Sequence, residues 1–236
     1  ELKKNNIKII SSGGTFKQIR RLKFKCLEVS DFTGFNEILD GRVKTLHPKI
    51  HGGILNKRRK KSHLRDMKNN NFENIDLVIA NFYPFEKILE ETNNHSKILE
   101  NVDIGGPTMV RAAAKNYNEV TVITSFDQYS ELISELKKNK GSTTLKFREK
   151  MSQIAFGETA YNDAVISDYL NNYNNVTFPK RKILYTNLVE NLRYGENPHQ
   201  IGAFYSLNKK NQIKQIHGKT LSYNNYNDIF SALTLS

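Results

Sequence analysis

Three short segments of the chain carry residue types that bind negatively charged groups. The first, Ser12-Gly13-Gly14-Thr15, follows an apolar run and precedes a helical pattern. Glycine lets backbone amides approach a ligand closely, and the N-terminus of a helix attracts anions. This segment predicts a phosphate-binding turn, although an ordinary tight turn between a strand and a helix has the same composition.

The second segment, Gly41-Arg42-Val43-Lys44-Thr45, places two cations two residues apart. Alternate side chains of an extended backbone point to the same side, so Arg42 and Lys44 are predicted to face one pocket. A solvated charged loop is the alternative. The following LHPKIHGGIL is, however, unusually rich in apolar residues and glycine for a surface loop.

The third segment, Asp103–Thr108, leads directly into a helical pattern. Pro107 suits the first turn of a helix, so the preceding Gly-Gly pair presents amides where negative charge is stabilised. One face of this helix carries polar side chains at helical spacing: Thr108, Arg111 and Lys115. Because helical side chains lean towards the N-terminus, Lys115 is predicted to reach the same pocket. A capped helix with its basic face in solvent is the alternative.

The elements that must position these segments alternate between strands and helices. Apolar runs at 7–12, 76–81 and 119–125 predict buried strands of a mainly parallel sheet. Helical patterns run from Pro84 to Glu91, Pro107 to Asn116, Gln128 to Lys138 and Leu145 to Leu170, the last as one helix or a pair. This alternation predicts an α/β fold.

Two polar side chains follow the second predicted strand. Asn81 and Tyr83 lie where that strand ends, and ligands of open α/β sheets bind beyond the carboxyl ends of strands. Both are therefore predicted to meet a ligand. Tyr83 fits equally well as a core aromatic residue with a satisfied hydroxyl.

Two other clusters give weaker signals. His47 and His51 have the spacing of a helical zinc pair, but Pro48 and the following Gly-Gly argue against a helix there. We therefore predict no metal site. The KRRKK run at 57–61 is predicted to be a solvated loop or a helix start, because it lacks the interleaved aromatic residues of an RNA-binding surface.

Composition limits the class of protein. The chain has 236 residues, a net charge of +12 and one cysteine, Cys26, which excludes an internal disulfide framework and favours a reducing compartment, by default the cytoplasm. No signal peptide or membrane span is predicted. Lysine and asparagine recur along the whole chain, so the charge is better explained by compositional drift than by a nucleic-acid partner.

A polar stretch at 171–187, interrupted by Pro179, marks a domain boundary. The sequence predicts a first domain over 1–178, a linker over 179–191 and a second unit over 192–236. That last unit has too few residues to bury an independent core.

Five motifs in order resemble a known family: SSGGT, EVSDFTGFNEILDGRVKTLHPKIHGGIL, IDLVIANFYPFEK, NVDIGGPTMVRAAAKN and LRYGENPHQ. The family is the bifunctional purine biosynthesis protein, in which IMP cyclohydrolase is joined to AICAR transformylase. The resemblance implies a methylglyoxal-synthase-like domain, a Rossmann-type parallel sheet flanked by helices, followed by the truncated start of a cytidine-deaminase-like domain.

It also implies an activity: closure of 5-formamidoimidazole-4-carboxamide ribotide to inosine monophosphate with loss of water. This reaction involves no redox change and needs no cofactor. The parent protein would also formylate AICAR with 10-formyltetrahydrofolate as co-substrate. A small-molecule purine nucleotide substrate and a homodimer are expected, without a membrane or nucleic-acid partner.

The resemblance assigns site residues position by position. The implied catalytic group is Lys44, Tyr83, Asp103 and Lys115. The implied substrate-binding residues are Ser12, Gly13, Gly14, Thr15, Arg42, Thr45, Asn81, Ile104, Gly105 and Gly106. The residues that resemble the opening of the transformylase substrate site are Arg193 and Tyr194, with Gly195, Asn197 and His199 beside them.

The sequence departs from the family at both ends. Members begin with a further strand and a Ser-x-Ser-Asp-Lys-Thr-Gly loop that would precede Glu1, and the catalytic Lys-His pair of the transformylase would follow Ser236. We therefore expect weakened substrate affinity, an exposed sheet edge and no formyl transfer. The alternatives are a nucleotide-binding fragment without turnover or a basic RNA-binding module.

Overall fold

The computed structural model describes residues 1–82, 85–207, 213 and 215–235. These form two compact units, Glu1–Ile166 and Ser167–Ser236. The division lies inside a helix, whereas the sequence predicts the end of the first domain at residue 178.

The helices and strands alternate as the sequence predicts for an α/β protein. The helices are α1 Gly13–Arg21, α2 Val29–Thr33, α3 Pro48–Leu55, α4 Lys61–Asn69, α5 Phe85–Glu91, α6 His95–Glu100, α7 Gly105–Lys115, α8 Tyr129–Lys138, α9 Leu145–Tyr173 and α10 Tyr223–Leu235. The strands are β1 Ile10–Ser11, β2 Leu27–Glu28, β3 Leu77–Ile79, β4 Thr121–Ile123, β5 Asn187–Asn191 and β6 Ala203–Ser206.

The four strands of the first unit form two parallel pairs. β1 pairs with β2, and β3 pairs with β4 so that Leu77 lies opposite Thr121. The three predicted strands are present but shorter than the apolar runs. Among the described residues no ladder joins the two pairs, and a cavity of about 910 Å³ lined by residues of both β1 and β3 lies between them. The expected sheet is therefore interrupted at this point.

The core of the first unit surrounds β4 and α7. Val122 and Ile123 of β4 and Val110 and Ala113 of α7 are fully buried. The alanines of α7 leave little side-chain volume between this helix and its neighbours, so α7 packs on α3, β3 and β4. This packing fixes the N-terminus of α7 relative to the strands.

The first turn of α3 corrects one sequence interpretation. Pro48 and the Gly52-Gly53 pair argue against a helix around His47 and His51, but α3 begins at Pro48, with His47 as its N-cap. Proline costs no hydrogen bond at that position. Gly53 serves packing, since a Cβ there would lie 2.6 Å from the carbonyl oxygen of Glu73.

The basic run and the final helix of the first unit follow the sequence predictions. Lys60 is the N-cap of α4 and Lys61 its first residue, so the run at 57–61 is a loop and a helix start. Arg58 turns away from solvent and pairs with Asp76. The segment that begins at Leu145 is one continuous helix, α9.

A buried asparagine joins α3 to α7. The side-chain amide of Asn116 donates to the carbonyl oxygens of Ile54 at 2.8 Å and Asn56 at 3.0 Å. These carbonyls lie at the C-terminal end of α3, where helices leave acceptors unpaired. Asn116 therefore supplies the hydrogen bonds that the end of α3 lacks.

Replacing Asn116 with leucine should lower the free energy of unfolding by about 1–3 kcal/mol, because two buried carbonyls lose their donor. Thermal or denaturant unfolding followed by circular dichroism measures this. The control is Asn118→Leu at an exposed position, expected to change stability by less than about 0.5 kcal/mol. Equal effects of the two variants would contradict the assignment.

The second unit contains a two-stranded antiparallel sheet and α10. In the β5–β6 pairing, Leu188 lies opposite Tyr205, and the ring of Tyr226 stacks on that of Phe204 with centroids 4.7 Å apart. Residues 187–191, assigned to a linker from the sequence, are instead strand β5. The strand forms because it pairs with residues 203–206. The sequence of residues 187–191 alone does not indicate this pairing.

Candidate active site

The Ser12–Thr15 segment forms the beginning of α1. Ser12 is the N-cap residue in extended conformation, and its side chain makes no capping hydrogen bond to a described residue. Gly13 has φ +55°, a conformation that favours glycine. The first amides of α1 thus lack a side-chain cap from Ser12, and an anion is a natural partner for them.

The second segment is a tight turn rather than the extended strand that its sequence suggested. Ile38 and Val43 form an antiparallel bridge, and Leu39, Asp40 and Gly41 between them all have positive φ. The alternation argument for Arg42 and Lys44 therefore does not apply here, and the two cations have different acidic partners.

Lys44 lies beside the first segment. Its Nζ is 2.7 Å from Oε2 of Glu37, and a Cβ built on Gly13 would lie 3.6 Å from the same Nζ. The side chain of Lys44 is 30% exposed. The fold therefore places this ammonium group next to the N-terminus of α1.

Arg42 pairs with an acidic residue that precedes the third segment. Its Nη2 lies 2.5 Å from Oε2 of Glu100, at the end of α6. The hydrogen bond and the charge of the partner raise the pKa of Arg42 and lower the pKa of Glu100. Glu100 is thus held ionised three residues before Asp103.

The third segment gathers two polar side chains around the first turn of α7. The amide of Gly106 donates to Oδ1 of Asp103 at 3.0 Å. A Cβ on Gly105 would lie 2.6 Å from Oγ1 of Thr45, and a Cβ on Gly106 would collide with the Asp103 carboxylate. Both glycines are therefore required for this close approach, and Ile104 is the N-cap residue.

These contacts bring three segments of distant sequence together. Lys44 links its turn to Gly13, and Thr45 links the same turn to Gly105. The cavity between β1 and β3 is lined in part by Ser12, Thr15 and Thr45, whereas Gly13, Lys44 and Gly105 are not among its lining residues.

Other predicted residues lie apart from these contacts. Asn81 donates from Nδ2 to the hydroxyl of Tyr129 at 2.8 Å, and the Arg111 guanidinium lies 5.7 Å from the ring centroid of Phe156. Lys115 is the exposed last residue of α7, so its Cα lies about 15 Å along the axis from that of Gly105. Tyr83 falls outside the described residues.

Sequence reasoning missed the partners of the predicted residues. Glu37, Glu100 and Tyr129 contact Lys44, Arg42 and Asn81 respectively. Glu37 lies within the EVSDFTGFNEILDGRVK motif, but its separation from Lys44 in the sequence does not indicate that the two side chains pair. Glu100 and Tyr129 are 58 and 48 residues from their partners, so no local signal could have identified them.

Two further observations concern metal binding and membrane-spanning helices. Within the described parts of the chain, no group of three or more His, Cys, Asp or Glu side chains is placed to hold a metal ion. The helices described here include none that is both long and apolar enough to cross a membrane.

In the second unit, Arg193 and Tyr194 contact each other. The Arg193 guanidinium lies 4.8 Å from the centroid of the Tyr194 ring, and its Nη2 donates to the Tyr194 hydroxyl at 3.1 Å. Hydrogen bonds to Ser222 and then to Arg193, together with the arginine charge, lower the pKa of Tyr194. A phenol in this setting is a stronger hydrogen-bond donor than an isolated one.

Comparison with known families accounts for both halves of the chain. Residues 1–108 match the MGS-like domain model, and residues 113–236 match the model of the AICARFT/IMPCHase bienzyme. The chain belongs to the AICARFT/IMPCHase bienzyme family. The MGS-like match confirms the predicted methylglyoxal-synthase-like fold of the first part.

Curated members of the bienzyme family are similar along almost the whole chain. The bifunctional purine biosynthesis protein PurH of Bradyrhizobium diazoefficiens is 44% identical over 232 residues, which are 97% of this chain and 44% of that protein. PurH of Thermoanaerobacter sp. is 46% identical, covering 96% of this chain and 46% of that protein. The chain thus spans a little under half the length of these relatives.

A solved structure supports the same fold. The crystal structure of ForH matches with a TM-score of 0.65 at 28% identity, covering 72% of this chain and 87% of that one. The α/β architecture is therefore shared with an experimental structure.

The domain boundary at residue 178 remains a prediction, because the family match that begins at residue 113 runs through it.

Proposed function

We propose that this chain carries the IMP cyclohydrolase activity of its family, closing 5-formamidoimidazole-4-carboxamide ribotide to inosine monophosphate with loss of water. The observation that carries the proposal is the convergence of Gly13, Lys44, Thr45 and Gly105 through direct proximity. This arrangement brings an anion-binding helix start, a cation and a second helix start close together.

The reaction defines what such a site must do. The carboxamide nitrogen attacks the formyl carbon, a C–N bond forms, and the formyl oxygen becomes a tetrahedral oxyanion that later leaves as water. The carboxamide nitrogen loses one proton, the formamido nitrogen loses another, and the departing oxygen gains both. Because an amide nitrogen is a poor nucleophile, orientation, oxyanion stabilisation and proton transfer must all contribute.

The residues of the site divide these tasks. The amides of Ser12–Thr15 hold the nucleotide phosphate at the start of α1. Lys44 and the amides at the start of α7 stabilise the oxyanion. Asp103 accepts the amide hydrogen of Gly106 through Oδ1, which leaves Oδ2 to orient the carboxamide or accept its proton. The chemistry requires no redox cofactor.

Three more assignments belong to this proposal by resemblance. Asn81 would contact the base, and Tyr83 and Lys115 would complete the catalytic group. Since Lys115 lies at the far end of α7, Lys115→Ala is the variant that tests its membership, and a loss of rate above about tenfold would include it.

The second unit is proposed to contribute Arg193 and Tyr194 to the transformylase substrate site of the whole protein. Their contact, together with the lowered pKa of Tyr194, presents a cation and a good donor side by side. In that protein 10-formyltetrahydrofolate would be the co-substrate. A homodimer is also proposed, to be measured by light scattering.

The decisive experiment incubates the purified chain with 5-formamidoimidazole-4-carboxamide ribotide and follows inosine monophosphate by absorbance and chromatography. Formation above the uncatalysed rate supports the proposal. The position of Lys115 favours a second candidate, nucleotide binding without turnover. Calorimetric binding of inosine monophosphate with no catalysed formation would select that second candidate.

A further inference from the structure

A single ion pair closes the turn that carries Lys44. Ile38 and Val43 form the last backbone bridge of the turn, so the next facing pair outward is Glu37 and Lys44. Their side chains meet, with Nζ 2.7 Å from Oε2. The pair is thus a cross-strand contact set by the register of the turn.

The backbone beneath this pair is unusual. Leu39 and Asp40 have φ of 55° and 53°, and Gly41 has φ 87°. A Cβ on Gly41 would lie 3.1 Å from Nζ of Lys44 and 3.9 Å from Oε2 of Glu37. The turn therefore leaves space for both charged groups over its glycine, and the Cβ position of Gly13 lies 3.6 Å from the same ammonium.

We propose that Glu37 is a positioning residue for the cyclisation, holding the ammonium of Lys44 at the N-terminus of α1. This inference rests on the proposed function of Lys44. A lysine ammonium on its flexible four-carbon stem has no fixed direction of its own. Glu37 supplies one, because its carboxylate is anchored on the opposite side of a constrained turn.

The ion pair between Glu37 and Lys44 contributes little to the stability of the fold. The carboxylate of Glu37 is 58% exposed, and exposed ion pairs contribute little to folding. Glu131 and Lys150 form a pair of the same length, 2.7 Å, between α8 and α9. Because that pair lies outside the site, Glu131→Gln is the matched control for Glu37→Gln.

The kinetic test is a double-mutant cycle on the whole chain. Glu37→Gln should lower kcat about tenfold with KM changed by less than about twofold, since misplacing a reacting group costs rate. Glu37→Asp should recover part of the loss. In the Lys44→Met background, Glu37→Gln should cause no further loss, because Glu37 acts only through Lys44. Full additivity, or a normal kcat for Glu37→Gln, would overturn the inference.

A second measurement does not require turnover. Acetylation by acetic anhydride, mapped by mass spectrometry, reports how far each lysine is withheld by its partner. Lys44 should react about two- to fivefold faster in Glu37→Gln and unchanged in Glu131→Gln, matching the strength of an exposed pair. Unchanged Lys44 labelling in Glu37→Gln would overturn the positioning role. Faster labelling in a chain that does not cyclise would show that Glu37 holds the Lys44 ammonium and would reject the proposed function.

Discussion

Replacement of Lys44 by methionine should lower kcat for the cyclisation by about 10²–10³-fold, the usual cost of removing one group that stabilises an oxyanion. Methionine keeps most of the length of the side chain and removes its charge. The ammonium lies next to Gly13 and is carried by the turn that also brings Thr45 to Gly105. Stopped-flow or steady-state absorbance measures the rate.

The matched control for this variant is Lys49→Met. Lys49 lies on α3 with its Nζ 4.9 Å from the ring centroid of Phe32. It carries the same charge as Lys44 and is near it in the sequence, but it is not one of the proposed site residues. Its replacement should leave kcat within about twofold. A Lys44→Met chain with near-normal turnover would remove Lys44 from the mechanism, whatever the control shows.

The sequence predicted the features of this site that depend on local backbone chemistry. The turn into α1 at Ser12–Thr15 and the helix start near Pro107 follow from glycine and proline at particular positions of a turn or helix. Each requires only a few neighbouring residues. The α/β class followed similarly from the alternation of short apolar runs with helical patterns.

Features that depend on contacts between distant residues were not predictable in this way. Glu100 contacts Arg42 across 58 residues, and strand β5 exists because it pairs with β6. A local pattern contains neither partner. The helix at Pro48 is hard to predict for a different reason, because proline breaks a helix at most positions but is compatible with the first turn.

The last expected result concerns the position of a carboxylate. Gly106→Ala should lower kcat/KM about 10²-fold, because the new Cβ occupies the place of the Asp103 carboxylate. That carboxylate now accepts the Gly106 amide at 3.0 Å, and Cγ of Asp103 would lie 3.1 Å from the added carbon. The backbone of a helix start has little freedom to move aside, so the short aspartate side chain must rotate away.

Gly157→Ala separates this effect from a general response to alanine. Gly157 also lies in a helix, α9, where an added Cβ meets no described atom within 4 Å, so alanine should stabilise the chain by about 0.5–1 kcal/mol and leave the rate unchanged. Combining Gly106→Ala with Asp103→Asn should cost little beyond Asp103→Asn alone, since both remove the same correctly placed carboxylate. Independent, multiplicative losses would instead show that Gly106 is needed for something other than the position of Asp103, such as its own amide at the oxyanion.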